Sequence, residues 1–200
     1  MSDIFRTIST DGKGQYTEQR SRFLSFAHHC TTIEQAKNII AGYARDYHDA
    51  RHVCWAYRIG SDDSEQCASS DNGEPSGTAG RPILGQIRSA DLTDITIIVV
   101  RYFGGIKLGT SGLITAYKEA AELAIESAEK ITGYRKGTIE IAYPYMAMND
   151  VMKIVKGSRD IEILEQTFDN TCKLLLSIRL DEVEAVRNRL IDIDGVTTQS

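Results

Sequence analysis

The 200-residue sequence predicts an α+β chain of two domains, an N-terminal domain over 1–135 and a C-terminal domain over 136–200. Three observations lead there. A nearly continuous apolar run, Ile95 to Tyr102, enters a glycine-rich turn and then a long helical pattern. The polar stretch Thr132-Gly133-Tyr134-Arg135-Lys136-Gly137 is where the periodicity restarts. The residues after that stretch read β-α-β-β-α-β, the ferredoxin-like order.

Taken in order, Ile4 to Ile8, Tyr16 to Arg20 and Arg22 to Ala27 alternate with period two around Gly12-Lys13-Gly14, which predicts antiparallel strands. Thr32 precedes Ile33, Ala36, Ile39, Ile40 and Tyr43 at spacings of three and four. That pattern predicts a helix opening at a Thr cap and ending near Asp46. β-Branched and aromatic residues fill Val53 to Ile59, a strand closed by Ser61-Asp62-Asp63. Ser69 to Pro82 is crowded with glycine and proline and is expected to be one long loop, with a short helix from Ile83 to Ile87 after it. Ile95 to Tyr102 is expected to be a central strand covered on both sides. Apolar residues at 113, 116, 117, 120, 121, 124 and 128 predict an amphipathic helix from Leu113 to about Lys130. In the second domain strands are expected over 138–143, 161–167, 171–179 and 196–198, helices over 149–157 and 182–193, and a hairpin turn at Asp169-Asn170.

With 42% hydrophobic and 26% charged residues the chain is neither disordered nor of low complexity. A formal charge of −5 leaves no whole-protein basic field for nucleic acid, so any such binding needs a local patch. One exists between Gly80 and Lys118, where Arg81, Arg88, Arg101, Lys107 and Lys118 outnumber Asp91 and Asp94. No apolar stretch has the length of a membrane span, and Met1-Ser2-Asp3 lacks the features of a signal peptide, so a cytoplasmic protein is expected. Cys30, Cys54, Cys67 and Cys172 form no C-x-x-C pair and are expected to be reduced thiols packed as small apolar groups.

A strand, a glycine turn and a helix in succession present free amides and a positive dipole end to an anion; the bland alternative is a tight turn that lets the helix pack closely. Gly104 and Gly109 have the P-loop interval, but Thr110 stands where the lysine is required, which argues against nucleotide turnover. Gly109-Thr110-Ser111-Gly112 matches a KH-type GXXG as a string but follows a strand rather than a helix. In the loop Asp71 to Gly80, Asp71 and Glu74 suit a hard cation or a partner's basic groups, and Ser76, Thr78 and the loop amides suit an anion; the alternative is a solvated turn with Asp71 as an Asx cap. His48-Asp49-Ala50-Arg51-His52 has the spacing of a zinc helix, yet a strand begins at Val53, so the imidazoles are not expected to share a face. The adjacent His28 and His29 point to opposite sides of a strand and give no ligand pair. No nucleophile elbow, dinucleotide fingerprint or catalytic cysteine context is present. Catalysis, cofactor and metal are therefore not expected.

Three segments together resemble the signature of the IMPACT family in its bacterial branch. They are Asp71-Asn72-Gly73-Glu74-Pro75-Ser76-Gly77-Thr78-Ala79-Gly80-Arg81-Pro82, Arg101-Tyr102-Phe103-Gly104-Gly105-Ile106-Lys107-Leu108-Gly109, and Gly112-Leu113-Ile114-Thr115-Ala116-Tyr117. Arg51-His52-Val53-Cys54-Trp55-Ala56-Tyr57 is similar to the family's His-x-Cys-Trp-Ala-Tyr strand. The resemblance implies a first domain that is a two-layer α/β sandwich like the second domain of a small-subunit ribosomal protein, the fourth domain of elongation factor G and the GHMP kinases. It implies a ferredoxin-like second domain similar to the fifth domain of elongation factor G. Eukaryotic members act as translational regulators, and bacterial members are thought to bind nucleic acid or ribosomes. Many members carry a basic residue where this chain has Thr115, and glycine or alanine where it has Thr110 and Ser111, so the positive patch here is weaker.

The function expected is that of a non-enzymatic, translation-linked regulator. It would bind RNA, the ribosome or a translation-associated protein through the glycine-rich surface of the first domain. That surface comprises His52, Asp71, Gly73, Glu74, Pro75, Ser76, Gly77, Thr78, Ala79, Gly80, Arg81, Arg101, Tyr102, Phe103, Gly104, Gly105, Lys107, Gly109, Gly112, Tyr117 and Lys118. The alternative is a phosphate-ligand-binding enzyme or small-molecule sensor related in fold to the GHMP kinases; a module that binds protein alone is a third.

Overall fold

The structure, a computed structural model, describes residues 3–60, 64–158, 160–169 and 171–199. The turn expected at Ser61-Asp62-Asp63 and Asn170 of the expected hairpin lie outside the described residues. The chain divides into two compact units: one holds Phe5–Gly133, the other Asp3 and Ile4 with the stretch from Tyr134 onward.

The first unit runs β1 (Ile4–Ile8), β2 (Gly12–Glu18), β3 (Ser21–His29), α1 (Ile33–Asp46), β4 (His52–Ile59), β5 (Gln66–Ser70), α2 (Gly80–Ser89), β6 (Ile95–Tyr102), α3 (Gly109–Ser127) and β7 (Lys130–Tyr134). Five strands form one antiparallel sheet in the order β2-β3-β6-β4-β5, while β1 and β7 pair separately. Strand β6 takes the centre, buried on both faces along nearly its whole length. Its Ile95, Ile97 and Val99 pack with Ile83 and Ile87 of α2 and Ala116, Tyr117 and Ala120 of α3; its Ile98 and Val100 pack with Ile39, Ile40 and Tyr43 of α1. Burying each such side chain is worth about 1.5–3 kcal/mol. Helices therefore lie on both faces, which adds a third layer to the two-layer sandwich expected.

Local chemistry sets the helix limits. Thr32 caps α1, its Oγ1 accepting from the Gln35 amide at 3.2 Å. The stretch Ser69–Pro82 is not one loop. Its first residues close β5, whose Ser-rich sequence carries little strand signal but whose backbone pairs with β4. Its last residues open α2, where Pro82 sits in the first turn and its missing N–H costs nothing. Helix α3 likewise starts at Gly109, earlier than the apolar periodicity that begins at Leu113. The expected boundary stretch 132–137 is mostly extended, belonging to β7 and to the strand after it.

The second unit runs β8 (Lys136–Tyr143), α4 (Met148–Gly157), β9 (Ile161–Thr167), β10 (Cys172–Arg179), α5 (Val183–Ile191) and β11 (Thr197–Gln199). Its antiparallel sheet has the order β11-β8-β10-β9. Alternate residues, Ile139, Ile141 and Tyr143 of β8 and Leu174, Leu176 and Ile178 of β10, bury against Val151 and Val155 of α4 and Val186 and Leu190 of α5. Asp3 joins this unit by accepting from Arg179 Nε at 2.6 Å. That bond outweighs burial and holds the Asp3 carboxyl below its usual range. No helix among the described residues is long and apolar enough to cross a membrane.

Small residues let α3 lie close on β2: a Cβ added at Gly12 would overlap the Ala124 carbonyl, whereas one added at Gly42 in α1 meets nothing within 4 Å. Gly12→Ala is accordingly expected to destabilise by about 1–3 kcal/mol, and Gly42→Ala to stabilise by about 0.4–1 kcal/mol. Urea midpoints for the two variants, which change the same atoms, check both signs.

Candidate functional site

The loop between β5 and α2 is organised by two carboxylates that point to different elements. Asp71 Oδ1 accepts the amides of Ala79 at 3.0 Å and Gly80 at 2.8 Å, and Oδ2 accepts that of Gly77 at 2.8 Å. It thus caps α2 from nine residues upstream of Gly80, at a helix start where Ala79 offers no side-chain cap. Burial pushes the Asp71 carboxyl up, but the three amides and the charge of Arg81 more than offset it and hold it below its usual range.

Glu74 turns the other way, into the fold. Its side chain is only 3% exposed, and its Oε1 accepts Arg101 Nη1 of β6 at 2.6 Å and the Tyr117 hydroxyl of α3 at 2.9 Å. One carboxylate therefore ties the loop to the central strand and to the long helix. The Arg101 guanidinium is 6% exposed, lies 5.4 Å from the Phe23 ring and 5.6 Å from the Phe103 ring, and leaves its Nε buried without a partner.

Behind this pair Cys54 and Tyr117 are held in their neutral forms. Cys54 Sγ lies 3.0 Å from the Asp71 carbonyl and 3.3 Å from the Tyr117 hydroxyl. Burial pushes its thiol up to about 12, so it is no nucleophile at neutral pH. Burial, then Cys54 and Glu74, keep the Tyr117 hydroxyl protonated. His52 Nδ1 donates to the Asn72 carbonyl at 2.8 Å, and its Nε2 lies 3.7 Å from Glu74 Oε1.

In front of the pair opens a cavity of about 570 Å³, lined by Arg51, His52, Glu74, Pro75, Arg101, Phe103, Lys107, Leu108, Gly109, Thr110 and Leu113. Its rim is the turn between β6 and α3. There Gly104 is required by close approach, since a Cβ would overlap the Arg20 backbone, and its amide donates to Ser21 Oγ at 3.1 Å. Gly109 opens α3 at φ +71°, with no side-chain cap and no acidic residue in the first turn. The amides at the start of α3 are thus left for solvent or an anion.

Of the residues singled out from sequence, His52, Glu74, Pro75, Arg101, Phe103, Lys107 and Gly109 meet in this cavity. Tyr117 is buried beneath it. Tyr102 points to the opposite face of the sheet, where its hydroxyl donates to Asp49 at 3.0 Å. Asp71, Gly73, Ser76, Gly77, Thr78, Ala79, Gly80, Arg81, Gly104, Gly105, Gly112 and Lys118 are outside its lining. The loop's own groups are used internally, Thr78 Oγ1 donating to the Pro75 carbonyl at 2.7 Å, so Asp71 and Glu74 do not face outward as a cation site. Arg51, Leu108, Thr110 and Leu113 were not singled out as binding residues. Arg51 adjoins His52 in the sequence, a signal that was available, and its amide donates to the Arg101 carbonyl at 3.0 Å. Among the described residues neither Arg51 nor Lys107 has an ion-pair partner, and both are exposed. No group of three or more His, Cys, Asp or Glu among the described residues is arranged to hold a metal ion.

The chain has recognisable relatives among known proteins. A family model described as the Impact N-terminal domain matches residues 19–125. The chain is 39% identical to the IMPACT family member YigZ of Escherichia coli, over 90% of this chain and 89% of that protein. It is 34% identical to an IMPACT family member of Haemophilus influenzae, over 87% and 84%. A solved structure described as a hypothetical protein superimposes with a TM-score of 0.77 at 26% identity, covering 100% of this chain and 98% of that one.

Glu74→Gln leaves the Arg101 charge buried without its counter-ion and is expected to cost about 3–5 kcal/mol in urea unfolding. Asp71→Ala is expected to lower stability at neutral pH. Because the folded pKa of Asp71 is depressed, its contribution is complete above the unfolded value of about 3.9 and is lost as pH falls through the lower folded value. The variant should therefore show a shallower loss of stability below about pH 4, read from urea midpoints across that range. Mild alkylation of the native protein should mark the exposed Cys67 and spare the buried Cys30, Cys54 and Cys172, with mass mapping as the check.

Proposed function

Because this chain belongs to the IMPACT family, we propose that it acts as a cytoplasmic, non-enzymatic regulator linked to translation, binding RNA, the ribosome or a translation-associated protein through the cavity face of its first unit. The single observation that carries the reading is the convergence of two cations without ion-pair partners among the described residues, Arg51 and Lys107, with the uncapped start of α3 at one concave surface. Such a surface meets phosphates by charge and by backbone amides. It also revises which cations matter: Arg101 is committed to Glu74, so the contact falls to Arg51 and Lys107.

The finer assignments rest on the same reading. We place the first domain, 1–135, with the ribosomal-protein, elongation-factor and GHMP-kinase fold. We place the second, 136–200, with the ferredoxin-like fifth domain of elongation factor G, a reading supported by the sheet order β11-β8-β10-β9. The volume of the cavity, about 570 Å³, favours the second reading, a site for a small phosphorylated ligand, more than a flat surface would.

Association with ribosomes or structured RNA is expected at low salt and should weaken steeply as salt rises. The double variant Arg51→Ala, Lys107→Ala should flatten the log–log salt slope by roughly 1.5 to 2 for the two lost contacts. The exposed Lys37→Ala on α1 serves as control. Sedimentation with ribosomes across a salt series is the measurement; no binding at low salt, or a slope unchanged by the double variant, would overturn the reading.

A further inference from the structure

The cavity discriminates among phosphates by its charge, its shape and its rim. Arg101 and Glu74 neutralise each other, so the net positive charge facing the space is that of Arg51 and Lys107. Two uncompensated cations match a phosphomonoester, which carries about −1.5 to −2 near neutral pH, better than the single charge of an internal diester. The space is concave, and about 570 Å³ falls within the roughly 300–1,000 Å³ of small-molecule sites. It would take one nucleotide-sized group, whereas a continuous strand needs an open groove.

The remaining lining divides the same way. At the rim Phe103 is 50% exposed and offers a ring face to a base. Leu108 and Leu113 line the space beside it, and Thr110 stands exposed at the first turn of α3. No lysine occupies position 110 to follow a chain of further phosphates, which suits a monophosphate rather than a triphosphate. His52 also lines the space and offers a ring nitrogen to hydrogen-bond a sugar hydroxyl.

We propose that this cavity is a receptor for one nucleoside monophosphate, free or as the 5′-phosphorylated end of an RNA, with the phosphate between Arg51, Lys107 and the start of α3 and the base against Phe103. This rests on the binding reading above and narrows it from phosphate in general to a terminal phosphate.

The test uses the full chain and titration calorimetry. Its probes are the four nucleoside 5′-monophosphates, the parent nucleosides, and one short single-stranded oligoribonucleotide prepared with a 5′-phosphate and with a 5′-hydroxyl. The expected result is at least about tenfold tighter binding of each phosphorylated probe than of its unphosphorylated twin. That preference should be lost in Lys107→Ala and in Arg51→Ala, and Phe103→Ala should weaken both members of a pair. The Arg51 and Lys107 side chains are exposed and without ion pairs among the described residues, and Lys37→Ala controls for charge alone. Monophosphates that bind while neither oligonucleotide does would support the receptor and overturn RNA as its source. Oligonucleotides that bind equally well with either end would leave the RNA reading standing and overturn this one. No binding of any probe would overturn this proposal, while ribosome sedimentation would still decide the broader one.

Discussion

The buried contact between Glu74 and Arg101 is the constraint around which the first unit is arranged. Removing two charges from water costs several kcal/mol per ion, and only close geometry with further hydrogen bonds recovers it. Here the carboxylate takes the guanidinium at 2.6 Å and the Tyr117 hydroxyl at 2.9 Å, and the guanidinium lies near two aromatic rings. Each partner comes from a different element, so the loop, the central strand and the long helix hold their positions only together. A loop rich in glycine, otherwise free to sample many conformations, is fixed at Glu74 and, through Asp71, at the start of α2.

That arrangement separates structural charge from available charge. Arg101 and Glu74 satisfy one another, as do Asp71 and the amides it caps. The groups still facing the cavity are Arg51 from the entrance of β4 and Lys107 from the turn before α3, with the free amides of α3 beside them. The glycines of the turn serve both purposes. Gly104 lets the strand end pass against the Arg20 backbone, and Gly109 opens the helix at a positive φ. The tight turn and the uncapped helix start are two consequences of one geometry.

The second unit is built on different terms. Its core comes from alternation on β8 and β10 against two short helices. Asp3 joins it from the other end of the sequence through Arg179, whose guanidinium also lies 4.0 Å from the Tyr134 ring. The glycine-containing stretch 132–137, where the chain passes from one compact unit to the other, is mostly strand.

The sequence by itself determined the elements whose periodicity is carried by apolar residues: the capped helix α1, the central strand β6, and the β-α-β-β-α-β order of the second unit. It also located the cavity's neighbourhood, because long glycine-rich segments with few other roles stand out from a packed chain. Only the tertiary structure decided the rest. Strand β5 and the start of α2 were hidden because serine, glycine and proline signal a loop until a neighbouring strand or a distant carboxylate satisfies their backbone. The role of each charge was hidden for the same reason. Arg51, Arg101 and Lys107 are alike as letters, and only burial, distance and the presence of Glu74 distinguish the one that holds the fold together from the two left facing the cavity.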